Sequence, residues 1–308
     1  MTGRRKRELT MSKFRARQTS TNPISGVGDR LWRDALVGVC GILLASAAVV
    51  GAHPEIEVQL SHISSQIEQS PDEADLYLKR GHIHRVHRDW KAGMADFRRA
   101  GELDPELHRV SRAIGRLLLE AGKPEQALPQ LEQFLKHQPG DPEGQILRGR
   151  AQGELGEYLI GAADFDKALP QLRRPTPELY IERAEILLAA GDEYQARVLI
   201  GLEQALDRLG DLYTLHRYAA ELEIESGQPE AALRRARGLL EKFDGNVSWR
   251  IFEAELLVSL GRVVEARTSY SKALDSITSL PAHRRRTPAV SEKEKQIREA
   301  LGELDVEH

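Results

Sequence analysis

Five glycines return in this chain at nearly constant intervals, each followed five residues later by a small residue. The segments are "GKPEQA" from Gly122, "GEYLIG" from Gly156, "GDEYQA" from Gly191, "GQPEAA" from Gly227 and "GRVVEA" from Gly261, at spacings of 34, 35, 36 and 34 residues. A chain with such a period folds as a row of similar units, each burying its apolar face against its neighbours. A second small residue stands seven positions before each glycine: Gly115, Gly149, Ala184, Ala220 and Ala254. Nine positions after it, four copies place a large side chain (Leu131, Phe165, Ile200, Tyr270) and one places Ala236. Apolar residues recur at helical spacing on both sides of the glycine, so each unit reads as two short helices that meet at small residues. Aromatic residues make up only 5% of the chain, which suits packed helices better than sheets. The expected fold class is all-α.

On these residues the chain resembles the tetratricopeptide repeat family, in which a helix–turn–helix unit carries three small slots, an aromatic in its second helix and a proline near its end. Residues 108–141 match with Gly115, Gly122, Ala127, Leu131 and Pro139, and the unit from Val247 matches with Ala254, Leu257, Gly261, Ala266, Tyr270 and Ala273. One unit earlier, residues 74–107 put Tyr77, Gly81, Phe97, Ala100 and Pro105 in the same slots. There Arg88 replaces the turn glycine and Gly93 the small alanine. The resemblance implies a right-handed α-solenoid of about six hairpins over residues 74–280, starting near 74, 108, 142, 177, 213 and 247. Residues 53–73, with "IEVQLSHISSQIEQ", and 281–308, with a linker and then "SEKEKQIREALGEL", are expected to supply cap helices. Pro129 is expected to bend or shorten the second helix of repeat two. Ala236 should leave repeat five short of volume, with an irregular join to repeat four near "EQALDRLGDLYTLHRY".

The first 52 residues differ from the rest. Residues 1–34 carry nine basic and three acidic residues, and "ALVGVCGILLASAAVVGA" over 35–52 has no charge. A basic segment, an apolar run and small residues at its end have the form of an export signal with cleavage before His53, or of a single membrane anchor if retained. Either case puts the repeats outside the cytoplasm, periplasmic or extracellular. Cys40, the only cysteine, lies inside this run, so the exported part has no disulfide, cysteine zinc site or thiol nucleophile. Taking residues 1–34 away leaves 35 basic against 44 acidic residues. A chain that acidic is not a general nucleic-acid binder.

Chemistry-bearing candidates are few. "GHIHRVHRDW" places His82, His84 and His87 within six positions, but on a helix His82 points away from His87, and Arg85 and Arg88 repel a cation. No zinc-protease, nucleophile-elbow, phosphate-loop, dinucleotide or calcium-loop motif is present, so neither enzymatic activity nor a cofactor or metal is expected. The resemblance implies a concave groove lined by the second, fifth, ninth and twelfth residues of each repeat. In repeats one to three these include Asp75, His82, Arg85, Arg109, Arg112, Arg116, Glu143 and Arg150; in repeats four to six, Glu178, Glu185, Arg217, Glu221 and Glu255. The groove is thus predicted to be basic at one end and acidic at the other. Arg112 and Arg116, one turn apart, have the geometry to clamp a carboxylate. The expected function is a protein- or peptide-binding scaffold, with Arg109, Arg112, Arg116 and Arg150 holding an acidic part of the partner. Two other classes are an envelope assembly subunit working through its convex face or ends, and a metal-binding or enzymatic protein centred on the histidines.

Overall fold

The computed structural model describes residues 54–306 apart from Asp244, so the basic segment, the apolar run and Cys40 lie outside the described residues. Among the described residues there are fifteen α-helices and no strand. Helix α1 (Pro54–Gln69) leads into six antiparallel hairpins: α2 (Ala74–Val86) with α3 (Trp90–Leu103), α4 (Arg109–Glu120) with α5 (Pro124–His137), and α6 (Pro142–Glu154) with α7 (Tyr158–Ala168). They continue with α8 (Pro177–Ala190) and α9 (Gln195–Leu209), α10 (Tyr213–Glu225) and α11 (Pro229–Lys242), and α12 (Val247–Ser259) and α13 (Val263–Thr278). A short α14 (Ala282–Arg285) and the long α15 (Pro288–Val306) close the chain. Each helix packs mainly on its neighbours in sequence, and the even-numbered helices also touch across repeats, as α2 with α4 and α4 with α6. The result is a helical solenoid with an inner layer, α2 to α12, and an outer layer, α3 to α13. None of the described helices is long and apolar enough to cross a membrane.

Local chemistry sets the boundaries. Asp89, Asp141 and Asn246 accept hydrogen bonds from the first free amides of α3, α6 and α12, and proline opens α5, α6, α8 and α11. Gly122 turns the chain with φ +70°, and Arg88 takes φ +60° at the equivalent position of the first hairpin. The small and large slots face each other: a Cβ on Gly115 would stand 2.6 Å from Leu131, and one on Gly81 2.5 Å from Phe97. Bulk in the outer helix is therefore matched by its absence in the inner one.

Three local expectations need revision. Helix α5 is not shortened by Pro129 and runs unbroken to His137. Pro129 and Glu125 lie on the exposed face, so the carbonyl left without its amide meets water, while Ala127, Leu131, Phe134 and Leu135 hold the other face in the core. Ile200 does not fill the large slot of repeat four, because it is 60% exposed. There the chain inserts a 3₁₀ turn, Asp192–Tyr194, and the packing set moves two residues on, to Val198 and Leu202, both essentially inaccessible. The two residues by which the interval from Gly191 to Gly227 exceeds 34 are absorbed in that turn. In repeat five, Ala220 and Ala236 form a small pair, and Trp249 and Phe252 of the next repeat share their apolar cluster and fill the volume.

At the C-terminal end α15 covers the last hairpin, with Ile297 and Leu304 buried against a cluster that includes Leu257, Tyr270 and Ile277. At the other end α1 buries Ile67 and leaves Val58 exposed.

Candidate binding groove

The three histidines of α2 and its turn diverge. His82 meets the edge of the Phe97 ring at 5.1 Å, His84 lies 3.8 Å from both Asp89 and Asp96, and His87 caps the helix end in solvent. Among the described residues no group of three or more His, Cys, Asp or Glu side chains is placed to hold a metal ion. Burial, and then Arg85, Arg116 and Arg112, push the His82 pKa below its usual value, so it faces the groove as a neutral imidazole.

The inner helices of repeats one to three bring the expected arginines together, but each arrives with a carboxylate from a neighbouring repeat. Arg109 pairs with Asp75, and Arg85 with Glu120 at 2.6 Å. Arg112 reaches Asp141 at 2.9 Å and Glu143 at 3.1 Å, with its guanidinium 5.2 Å from the Phe134 ring centre. Arg116 holds Glu143 at 2.7 Å. Arg150 makes a two-toothed contact with Glu182 of α8 at 2.7 and 2.9 Å. These partly exposed pairs contribute at most about 1 kcal/mol each. They run from one inner helix to the next, so the predicted basic end is a neutralised lattice rather than a row of bare cations. Glu120, Asp141 and Glu182 lie outside the four family slots, and sequence reasoning missed them.

Repeats four to six carry the acidic end. Glu185, on α8, has an interaction partner. Arg217 divides itself between Glu221 at 3.1 Å and Glu255 at 3.2 Å, and also donates to the Tyr213 hydroxyl at 2.9 Å. Below them Tyr213, Trp249 and Phe252 form an aromatic floor, with Tyr213 and Trp249 ring centres 4.6 Å apart and the Arg217 guanidinium 5.7 Å from the Phe252 ring. Burial raises the Glu255 carboxyl above its usual range, Arg217 draws it back, and Glu221 adds to the rise. The residue six positions before each turn forms one row along the inner surface: His82, Arg116, Arg150, Glu185, Glu221 and Glu255.

A further set of charges lies within the hairpins. Arg80 pairs with Asp96 at 2.7 Å, and Arg148 with Asp164 at 2.6 Å, the two acids being almost inaccessible. Both pairs span sixteen residues, and the second follows the first by two periods of 34, a signal the sequence does contain. They tie inner to outer helix and take no part in the groove.

Comparison with known proteins accords with this architecture. Residues 112–174 and 219–281 match the tetratricopeptide repeat family. The chain is a tetratricopeptide repeat protein. The two matches fall on repeats two and three and on repeats five and six, so the slipped repeat four separates them. Solved structures similar to this tetratricopeptide repeat protein include PilW, a type IV pilus biogenesis factor, at 16% identity over 62% of this chain and 87% of that one, with a TM-score of 0.51. A tetratricopeptide repeat protein from Parabacteroides merdae ATCC 43184 is 14% identical over 79% of this chain and 93% of that one, with a TM-score of 0.48. Such likeness concerns the fold alone. The comparison with curated proteins finds no match.

Proposed function

We propose that this tetratricopeptide repeat protein is a scaffold outside the cytoplasm that docks an elongated segment of a partner protein in its concave groove. The observation that carries the reading is the inner row from His82 to Glu255, which lays one polar side chain per repeat along a continuous surface. The apolar run at 35–52 behind a basic segment supports the location. An acidic stretch of the partner meets Arg109, Arg112, Arg116 and Arg150 by displacing Asp75, Asp141, Glu143 and Glu182. The arginines thus exchange carboxylates and gain little net energy, which favours a reversible contact.

Photo-crosslinking in the native host tests this. A crosslinker at Arg116 or Glu221 should capture a partner, and one at the exposed Ile160 or Val264 of the outer helices should not. Capture from the outer positions alone would instead identify an assembly subunit that works through its convex face.

A further inference from the structure

We propose that the C-terminal half of the groove receives a basic segment of the partner, with lysine or arginine side chains set against Glu221, Glu255 and Glu303. This rests on the docking reading above and gives its partner a chemistry. In repeats one to three the arginines and carboxylates balance, whereas at the acidic end one guanidinium, Arg217, serves both Glu221 and Glu255. Glu303 of the cap helix, next to the buried Leu304, brings a third carboxylate near Tyr270. Tyr270 lies where it senses Glu255 and Glu303 together; burial and these two charges push its phenol up to about 12. It is 5% exposed. Glu221 and Glu255 divide one guanidinium between them, and Arg267, the cation beside Glu303, donates to the Leu304 carbonyl at 2.9 Å. The nearby cation of the cap, Lys293, is engaged with Ser248 at 2.7 Å, about two helical turns from Glu255.

The distribution of these acids defines the occupant further. They come from three helices and do not converge on one point, and among the described residues no such group is placed to hold a metal ion. Neighbouring helices pack roughly 8–10 Å apart. An extended peptide advances roughly 3.3 Å per residue, so cationic side chains three residues apart match that pitch. The surface fits a strand-like basic peptide better than a single ion.

Fluorescence anisotropy on the full chain tests this, with a labelled twelve-residue peptide that has lysine at every third position. Binding is expected at physiological salt, with at least tenfold loss in Glu221→Gln/Glu255→Gln/Glu303→Gln. Glu303→Gln alone, on the exposed cap surface, should weaken it severalfold without touching the core. Undiminished binding by the triple variant would overturn the inference, as would equal binding of a peptide with its lysines clustered. Binding of the basic peptide that survives the triple variant but is lost in Asp75→Asn/Glu143→Gln, at the other end of the groove, would also overturn it while leaving the groove as the docking surface. If the basic peptide binds only after residues 1–34 are removed, the occupant is the chain's own basic segment, and the inference of a separate partner falls.

Discussion

Five of the six hairpin turns end on glycine and one on Arg88, whose φ of +60° puts a Cβ where it crowds the following carbonyl. That conformation costs a side-chain-bearing residue roughly 1–2 kcal/mol, of which glycine's greater freedom in the unfolded chain returns roughly 0.5–1 kcal/mol. Arg88 is exposed, and among the described residues no ion pair or hydrogen bond of its side chain offsets the strain. Arg88→Gly should therefore stabilise the protein by about 0.5–1 kcal/mol, and Gly122→Ala should destabilise it by a similar amount. Urea unfolding of both variants checks this. Equal signs would mean that the strain argument fails at one of the two turns. The turn role of Arg88 was legible because position within a period does not depend on residue type. The partners of Arg112 and Arg116 were not legible, since the period fixes a slot on one helix but not which carboxylate of the next repeat reaches it.

Elements in this fold tolerate insertion at turns and resist it within packed helices. Helix α9 shows both sides of the rule: the 3₁₀ turn Asp192–Tyr194 takes up two residues, and Val198, Leu202, Ala205 and Leu206 then pack in the usual order. The excess length was visible in the 36-residue interval, but its place was not. The motif "GDEYQA" mimics an in-frame unit and wrongly promotes Ala196 and Ile200, both exposed in the structure. Periodicity had no means of choosing between a turn insertion and a longer helix, because Ile200 and Val198 are equally apolar. Deleting Asp192 and Glu193 restores the 34-residue frame and removes only exposed residues. Such a chain should fold with stability within about 1 kcal/mol of the parent, as expected of surface loops. Deleting Ile200 and Gly201 instead rotates Leu202, Ala205 and Leu206 out of the core and should leave repeat four unfolded. Circular dichroism with thermal melts on the two deletions separates these outcomes. A folded second variant would place the slip elsewhere.

At the scale of the molecule, stability in a solenoid is a sum of units and of the interfaces between neighbours, so damage stays local. The pairs from Asp75–Arg109 to Arg217–Glu255 fit that description, because each links inner helices of successive repeats. The end units depend most on their caps. Removing residues 281–308 strips Ile297 and Leu304 from the cluster that holds Leu257, Tyr270 and Ile277. Each fully buried aliphatic side chain contributes about 1.5–3 kcal/mol, so repeat six should lose much of its stability and present an apolar end to solvent. Amide hydrogen exchange of the truncated chain should then show protection lost in α12 and α13 and kept in α4 to α7, with concentration-dependent association on size exclusion. Loss of protection along the whole length would mean that the six hairpins unfold as a single cooperative body, with coupling reaching far beyond adjacent repeats.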